Sequence, residues 1–182
     1  MLPPPVCHPP RPSRIYLVGQ APGPREGARG RPFAHTAGQT LFRWFADYGV
    51  DEARFREGVY LAAVLRCFPG KAPGGGDRVP AKGEIERCRP WMQTEVELMK
   101  PELVIPVGRL AIEQVLGLRP KTLAEVIGEP LRVKFFGRDV DAIALPHPSG
   151  VSSWHKLEPG KTLLKGALGL ITRHPAWVNA FA

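Results

Sequence analysis

A three-layer α/β/α sandwich, built on a mainly parallel central sheet of four to five strands, is the fold class this sequence predicts. Three observations predict it. Short apolar runs rich in β-branched and aromatic residues recur along the chain, each bounded by Pro or Gly. Segments with apolar residues at helical spacing separate these runs. Two of the runs end in Gly/Pro-rich loops, and strand ends are where open α/β folds put ligand sites. Strands that alternate with helices imply crossover connections, hence a parallel sheet covered on both faces.

The elements follow in order. Met1–Ser13 is proline-rich and reads as an extended N-terminal arm, not a packed element. Residues 14–182 read as one domain, with no internal repeat and no linker. Arg14-Ile15-Tyr16-Leu17-Val18 is the first strand. The loop Gly19-Gln20-Ala21-Pro22-Gly23-Pro24-Arg25-Glu26 follows, with Gly30-Arg31-Pro32-Phe33-Ala34-His35-Thr36-Ala37-Gly38 behind it. Ala37–Tyr48 is a helix: Leu41, Phe42 and Phe45 recur at its spacing, and Gly49 suits its C′ position. Val59–Leu65 is the second strand. Arg66–Lys82 is a long polar loop with Pro69-Gly70-Lys71 and a triple glycine, and loops of this length are functional or mobile. Ala81–Lys100 is helical, with Pro90 expected to kink or break it. Leu103–Val107 is the third strand, and Arg109–Leu116 a helix ending at Gly117. Leu131–Phe136 and Val140–Leu145 are two more strands around a Gly-Arg-Asp turn. Pro146-His147-Pro148-Ser149-Gly150 opens a second strand-end loop, running to Trp154. Lys161–Arg173 closes the chain as a helix.

The bulk numbers narrow the function classes. The chain has 182 residues, 43% hydrophobic and 23% charged, an ordinary balance for a globular protein with a substantial core. No apolar run approaches the ~18 residues of a membrane helix, and the N-terminus lacks the order of a secretory signal. These features predict an intracellular chain without a membrane partner. A net charge of +8 suits a polyanionic partner. Three cysteines in such a chain do not suggest a disulfide framework. The run Gly160-Lys161-Thr162 suggests a phosphate loop, but that motif needs Gly where His155 stands, and no strand leads into the run. A nucleotide-binding enzyme is set aside on that ground.

Taken together, the two loops resemble motifs of the uracil-DNA glycosylase superfamily, over about Arg14 to Arg173. Gly-Gln-Ala-Pro-Gly, then Gly-Arg-Pro-Phe and Ala-Gly-Gln, is similar to the first motif of its iron–sulfur, thermostable-type members. His147-Pro148-Ser149-Gly150 is similar to the second motif. Arg66-Cys67, Glu84, Cys88, Pro90-Trp91 and Leu103-Val104-Ile105-Pro106-Val107-Gly108 resemble the middle of the same subgroup. Each short motif alone is weak; their order, with a strand before each loop, is the signal.

The resemblance implies a monofunctional enzyme that flips uracil, or a related deaminated base, out of DNA and hydrolyses its N-glycosidic bond. It implies a monomer acting in base excision repair, cytoplasmic and nucleoid-associated in a bacterium or archaeon. His147 and Gln20 are then the catalytic candidates. His147 and the backbone N–H groups around Gln20 and Ala21 would stabilise the anion left on the base. Gly19, Gln20, Ala21, Phe33, Ala63 and His147 would form the base pocket, with Phe33 stacking on the flipped base. Arg25, Arg31, Lys71, Ser149 and Ser152 would grip the flanking DNA phosphates.

Departures from the subgroup carry consequences. Some members place Asp where Ala21 stands, to orient water; here the nearest acid is Glu26, a general base or a surface charge. The expectation is a dissociative mechanism without a strong general base. The subgroup's uracil-reading Asn is replaced by Ala63, which widens the expected range to hypoxanthine and xanthine. His35 replaces a Gly, lining the pocket mouth or capping the next helix. Cys67 and Cys88 match two cysteines that hold a 4Fe-4S cluster in the subgroup. The other two form an N-terminal pair, for which this chain has only Cys7, beside His8. The expectation is a cluster in a longer chain whose upstream pair is missing here. A different class of function, a non-catalytic binder of damaged DNA on the same scaffold, is suggested by Ala21 and Ala63 and opposed by His147.

Overall fold

Five apolar runs become the five strands of one sheet: β1 (Ile15–Gly19), β2 (Val59–Ala63), β3 (Leu103–Pro106), β4 (Pro130–Phe135) and β5 (Arg138–Ile143). The computed structural model describes Leu2, residues 4–150 and residues 152–182. Met1 and Pro3 of the expected arm, and Val151 of the second loop, lie outside the described residues. The spatial order is β2-β1-β3-β5-β4. The first four run parallel, with Gly19 level with Ala63. β1, β2 and β3 are buried along their whole length, which is why they read as continuous apolar runs. β4 alternates exposed with partly buried residues over most of its length and pairs antiparallel with β5. Their turn, Phe136-Gly137, takes positive φ at both residues, the backbone a two-residue hairpin demands.

Among the described residues, seven α-helices cover the sheet: α1 (Glu26–Arg29), α2 (Thr36–Ala46), α3 (Glu52–Gly58), α4 (Lys82–Met99), α5 (Arg109–Leu116), α6 (Gly160–Arg173) and α7 (Pro175–Phe181). Because neighbouring strand residues point to opposite faces, the core splits in two. On one face Ile15, Leu17, Leu61 and Ile105 pack with Leu41, Phe42 and Phe45 of α2, Phe55 of α3, and buried residues of α6 and α7. On the other, Tyr16, Val18, Ala62 and Val104 pack with Met92 and Val96 of α4 and with Ala111 and Val115 of α5. The result is the expected three-layer α/β/α sandwich with a mainly parallel sheet. No helix among the described residues is long and apolar enough to cross a membrane.

Three local expectations are corrected. Pro90 neither breaks nor ends α4, which runs on to Met99. Pro90 lies on the exposed side, as does Glu86, whose carbonyl loses its helical partner and is left on the solvent side. The chain does not close at Arg173: Pro175 starts a further helix, capped by His174, whose Nδ1 accepts the Ala176 N–H at 3.1 Å. The proline-rich arm is docked rather than unpacked. Val6 and His8 are buried, the Val6 N–H donates to the Arg66 carbonyl at 2.7 Å, and the Ser13 hydroxyl donates to the Gly58 carbonyl at 2.7 Å.

Candidate functional site

β1 pairs with β2 on one side and β3 on the other, so the chain changes direction across the sheet at the end of β1. A crevice opens at such a point beyond the carboxyl ends of the strands. Here it is a cavity of about 510 Å³, floored by Gly19, Ala63 and Val107 and walled by His147 beyond β5. Gln20, Ala21, Phe33, Arg25, Lys71 and Ser149 line the same cavity. Of the residues singled out from sequence as binding or catalytic, two stay outside this lining. Arg31 lies 3.9 Å from Glu52 in an exposed ion pair. Ser152 donates its backbone N–H to the Ser149 carbonyl at 3.1 Å, bracing the second loop instead.

The first loop is fixed from both sides. The Val64 and Leu65 N–H groups donate to the Gly19 and Gln20 carbonyls at 2.9 and 3.0 Å, extending the β1–β2 pairing into the cavity floor. Glu26 is buried, not a surface charge, and not positioned as a free base. Its Oε2 accepts the Gly23 N–H and its Oε1 the Ala34 N–H, both at 2.8 Å. Burial raises its pKa, while these two hydrogen bonds oppose the rise. The carboxylate therefore ties the two halves of the loop together.

Phe33 sits on this floor in a positive-φ conformation (φ 53°), costly for a side chain of its size. A Cβ on Gly19 would lie 2.9 Å from the edge of the Phe33 ring, so only glycine lets the ring lie this close to β1. Arg56, on α3, holds the strained turn. Its Nη1 donates to the Pro32 carbonyl at 2.9 Å and its Nη2 to the Phe33 carbonyl at 3.0 Å. Its Nε donates to Glu52 at 2.9 Å, and its guanidinium stacks over Phe42, 4.6 Å from the ring centre. Sequence reasoning missed Arg56: no periodic signal links a helix arginine to carbonyls more than twenty residues earlier.

His147 packs against Gly108, the residue just before α5. A Cβ there would lie 3.1 Å from the imidazole, and the φ of +83° also favours glycine. The ring is exposed to the open cavity, yet protein packed around it partly desolvates it and lowers its pKa below the usual histidine value. Asp77 opposes that shift and His155 adds to it. Nδ1 accepts the Ser149 N–H at 3.2 Å. A neutral imidazole that accepts at Nδ1 carries its proton on Nε2, and so keeps a donor for the cavity. His35 lines the cavity with its Nε2 3.0 Å from Arg25 Nη1, and its side chain makes no helix-capping bond. Asp77, from the long loop after β2, lines the cavity too and was not singled out from sequence.

The cysteines test the expected cluster. Cys88 is buried on α4, Cys67 half-buried, and Cys7 exposed on the arm. Burial raises the Cys67 pKa, and Cys88 and Cys7 raise it further, so the three thiols share one region. Among the described residues, however, no three His, Cys, Asp or Glu side chains are placed to hold a metal ion. A four-iron cluster takes four ligands, and the residues present do not fit it.

Comparison with known proteins fits this geometry. A family profile described as "Uracil DNA glycosylase superfamily" matches residues 6–168. A Type-4 uracil-DNA glycosylase of Archaeoglobus fulgidus is 32% identical over 142 residues, covering 76% of this chain and 67% of its own length. A Type-4 uracil-DNA glycosylase of Pyrobaculum aerophilum is 30% identical over 140 residues, covering 75% and 67%. A Type-5 uracil-DNA glycosylase of Thermus thermophilus is 35% identical over 123 residues, covering 59% of this chain and 52% of its own.

Proposed function

The chain belongs to the uracil DNA glycosylase superfamily, and on that premise we propose that it excises uracil and other deaminated bases from DNA as a monofunctional glycosylase. The observation that carries the reading is the meeting of Gly19–Gly23, Phe33 and His147 in one cavity, from segments over a hundred residues apart. At about 510 Å³ the cavity lies within the range of small-ligand sites, large enough for a flipped base. A base entering it meets the flat face of Phe33 and the His147 ring.

Hydrolysis breaks the C1′–N bond, with its electron pair leaving on the base. The anion so formed needs a donor already in place, because fixed donors cost no reorganisation when charge appears. His147 is suited to this as a neutral Nε2–H donor, with the Ser149 N–H holding the tautomer. Arg25, Lys71 and Ser149 at the cavity edge, with a net charge of +8, suit the flanking phosphates. The enzyme acts in this reading where DNA is, in the nucleoid, and no step runs through a metal.

A panel of oligonucleotides, each carrying one modified base and read by strand cleavage after alkali, tests the proposal. The parent releases uracil, and His147→Ala slows single-turnover release on the order of 10²-fold, as for the loss of one oxyanion donor. DNA affinity stays near the parent value, since the interaction forms in the transition state. A parent that releases no base, or a variant as fast as the parent, refutes it.

A further inference from the structure

We propose that Asp77 is the carboxylate that faces the sugar in this cleft, orienting the water that attacks C1′ and offsetting the positive charge that develops there. The inference deepens the glycosylase reading and rests on it. The first loop offers no such group. Ala21 has a methyl, Gln20 is uncharged, and both oxygens of Glu26 accept backbone N–H groups at 2.8 Å.

Asp77 lines the same cavity from a different segment, the loop between β2 and α4. That loop is built, not slack. Arg78 donates to the Pro69 carbonyl at 3.0 and 2.6 Å and forks onto both oxygens of Glu84 at 2.8 Å. This pairing holds the Glu84 pKa down at about 2. The Arg78 N–H donates to the Gly70 carbonyl at 2.9 Å, and Lys71 and Asp77 face each other across an antiparallel bridge. Asp77 therefore has a fixed backbone.

Its two oxygens differ. Oδ1 accepts from Lys71 Nζ at 2.7 Å. Oδ2 has no protein hydrogen bond among the described residues, and lies beside the first loop, 3.8 Å from where a Cβ on Gly23 would stand. The charge is also felt across the cavity, since Asp77 raises the His147 pKa against the pull of burial. A neutral histidine donor and an open carboxylate oxygen in one cavity match the charges of glycosidic cleavage, negative on the base and positive on the sugar.

The step balances. The C1′–N bond breaks with its electron pair on the base. Water forms the new C1′–O bond and gives up one proton to Asp77, which passes it to solvent. The base anion takes one proton from solvent, and the products are the free base and an abasic sugar. Lys71 Nζ, at 2.7 Å from Oδ1, holds the carboxylate in one orientation with Oδ2 turned free.

The test uses the full chain on a uracil-containing single-stranded oligonucleotide, at saturating enzyme and single turnover. Asp77→Asn keeps the shape and removes the charge. It is expected to slow release on the order of 10²-fold, the contribution of a positioned acid–base group, with affinity for the abasic product strand unchanged. Added formate restores Asp77→Ala by about tenfold and leaves His147→Ala unmoved, an outcome a purely structural aspartate does not give. An Asp77→Asn rate within about threefold of the parent overturns the proposal. So does a slow Asp77→Ala that formate does not restore, the behaviour of a group that only anchors Lys71. A parent that releases no base sinks the glycosylase reading itself, and an active parent with indifferent Asp77 variants sinks only this inference.

Discussion

Replacing Arg56 by methionine separates the scaffold of the stacking wall from its chemistry. The guanidinium makes three charge-assisted hydrogen bonds: to the Pro32 and Phe33 carbonyls at 2.9 and 3.0 Å and to Glu52 at 2.9 Å. Such bonds contribute about 1.5–3 kcal/mol each when buried. Water from the cavity reaches the two freed carbonyls, so the expected loss of stability is nearer the cost of one bond, about 2 kcal/mol. Methionine keeps the apolar contact with Phe42, which limits any cavity term. The effect on rate comes from Phe33. Its φ of 53° stores about 1–3 kcal/mol of strain, and Arg56 is the clamp that opposes relaxation. Released, the ring swings off Gly19, and a stacking loss of about 1–2 kcal/mol corresponds to roughly a 5- to 30-fold drop in kcat/KM. Urea unfolding measures the first quantity, and single-turnover excision of uracil the second. Glu52→Ala is the control: it removes one of the three contacts and leaves both carbonyl clamps. Its rate is expected within about twofold of the parent. If Arg56→Met lowers stability as calculated while its rate stays within about twofold, Arg56 has no part in positioning Phe33.

Three further outcomes are expected. Glu95 accepts from Tyr16, from Tyr60 at 3.0 Å and from buried Arg66 at 2.5 Å; Glu95→Ala leaves that guanidinium unpaired and costs about 3–5 kcal/mol in urea unfolding, a loss under about 1 kcal/mol contradicting it. Ala63→Asn returns a base-reading amide to the cavity floor and narrows excision toward uracil, since polar groups left unpaired reject analogues; a parent that already ignores hypoxanthine and xanthine at high enzyme excess refutes the broad-range premise. The rate of excision stays level through the ordinary histidine value of about pH 6.5 and falls only at more acidic pH, because protonation at Nδ1 ejects the Ser149 N–H from His147. The folded pKa of His147 is depressed, so the unfolded chain binds more protons in that window and stability falls on acidification too; a rate that rises as pH drops refutes the neutral-donor assignment.

The sheet was legible because its central strands are buried on both faces, which forces continuous apolar runs such as Ile15–Val18 and Leu103–Ile105. The strand-end loops were legible because close backbone approach demands glycine, as at Gly19 under Phe33 and Gly108 under His147. What escaped was held by partners distant in sequence. The arm's prolines suggest an unpacked segment, yet Val6 docks on Arg66, some sixty residues on. Helix α7 has only seven residues, too few for a periodic signal, though Pro175 after His174 marks its start. Arg31 and Arg56 are both loop-proximal arginines by sequence. Only the fold shows that Arg31 turns to Glu52 in solvent while Arg56 holds Phe33.

Three charged groups in and behind the cavity wall divide the labour by how their hydrogen-bonding atoms are engaged. Both oxygens of Glu26 accept backbone N–H groups, so it sets loop geometry. All three sides of the Arg56 fork are occupied, so it positions Phe33 and offers nothing to substrate. Asp77 alone among them keeps one oxygen without a protein partner, on the side facing Gly23. A carboxylate absent at Ala21 can thus be supplied from a different loop, because only its position relative to C1′ matters to the chemistry, not its place in the chain. The order of effects is then fixed: loosening the Arg78–Glu84 fork disturbs Asp77 before it disturbs His147, whose loop is braced separately by Ser149.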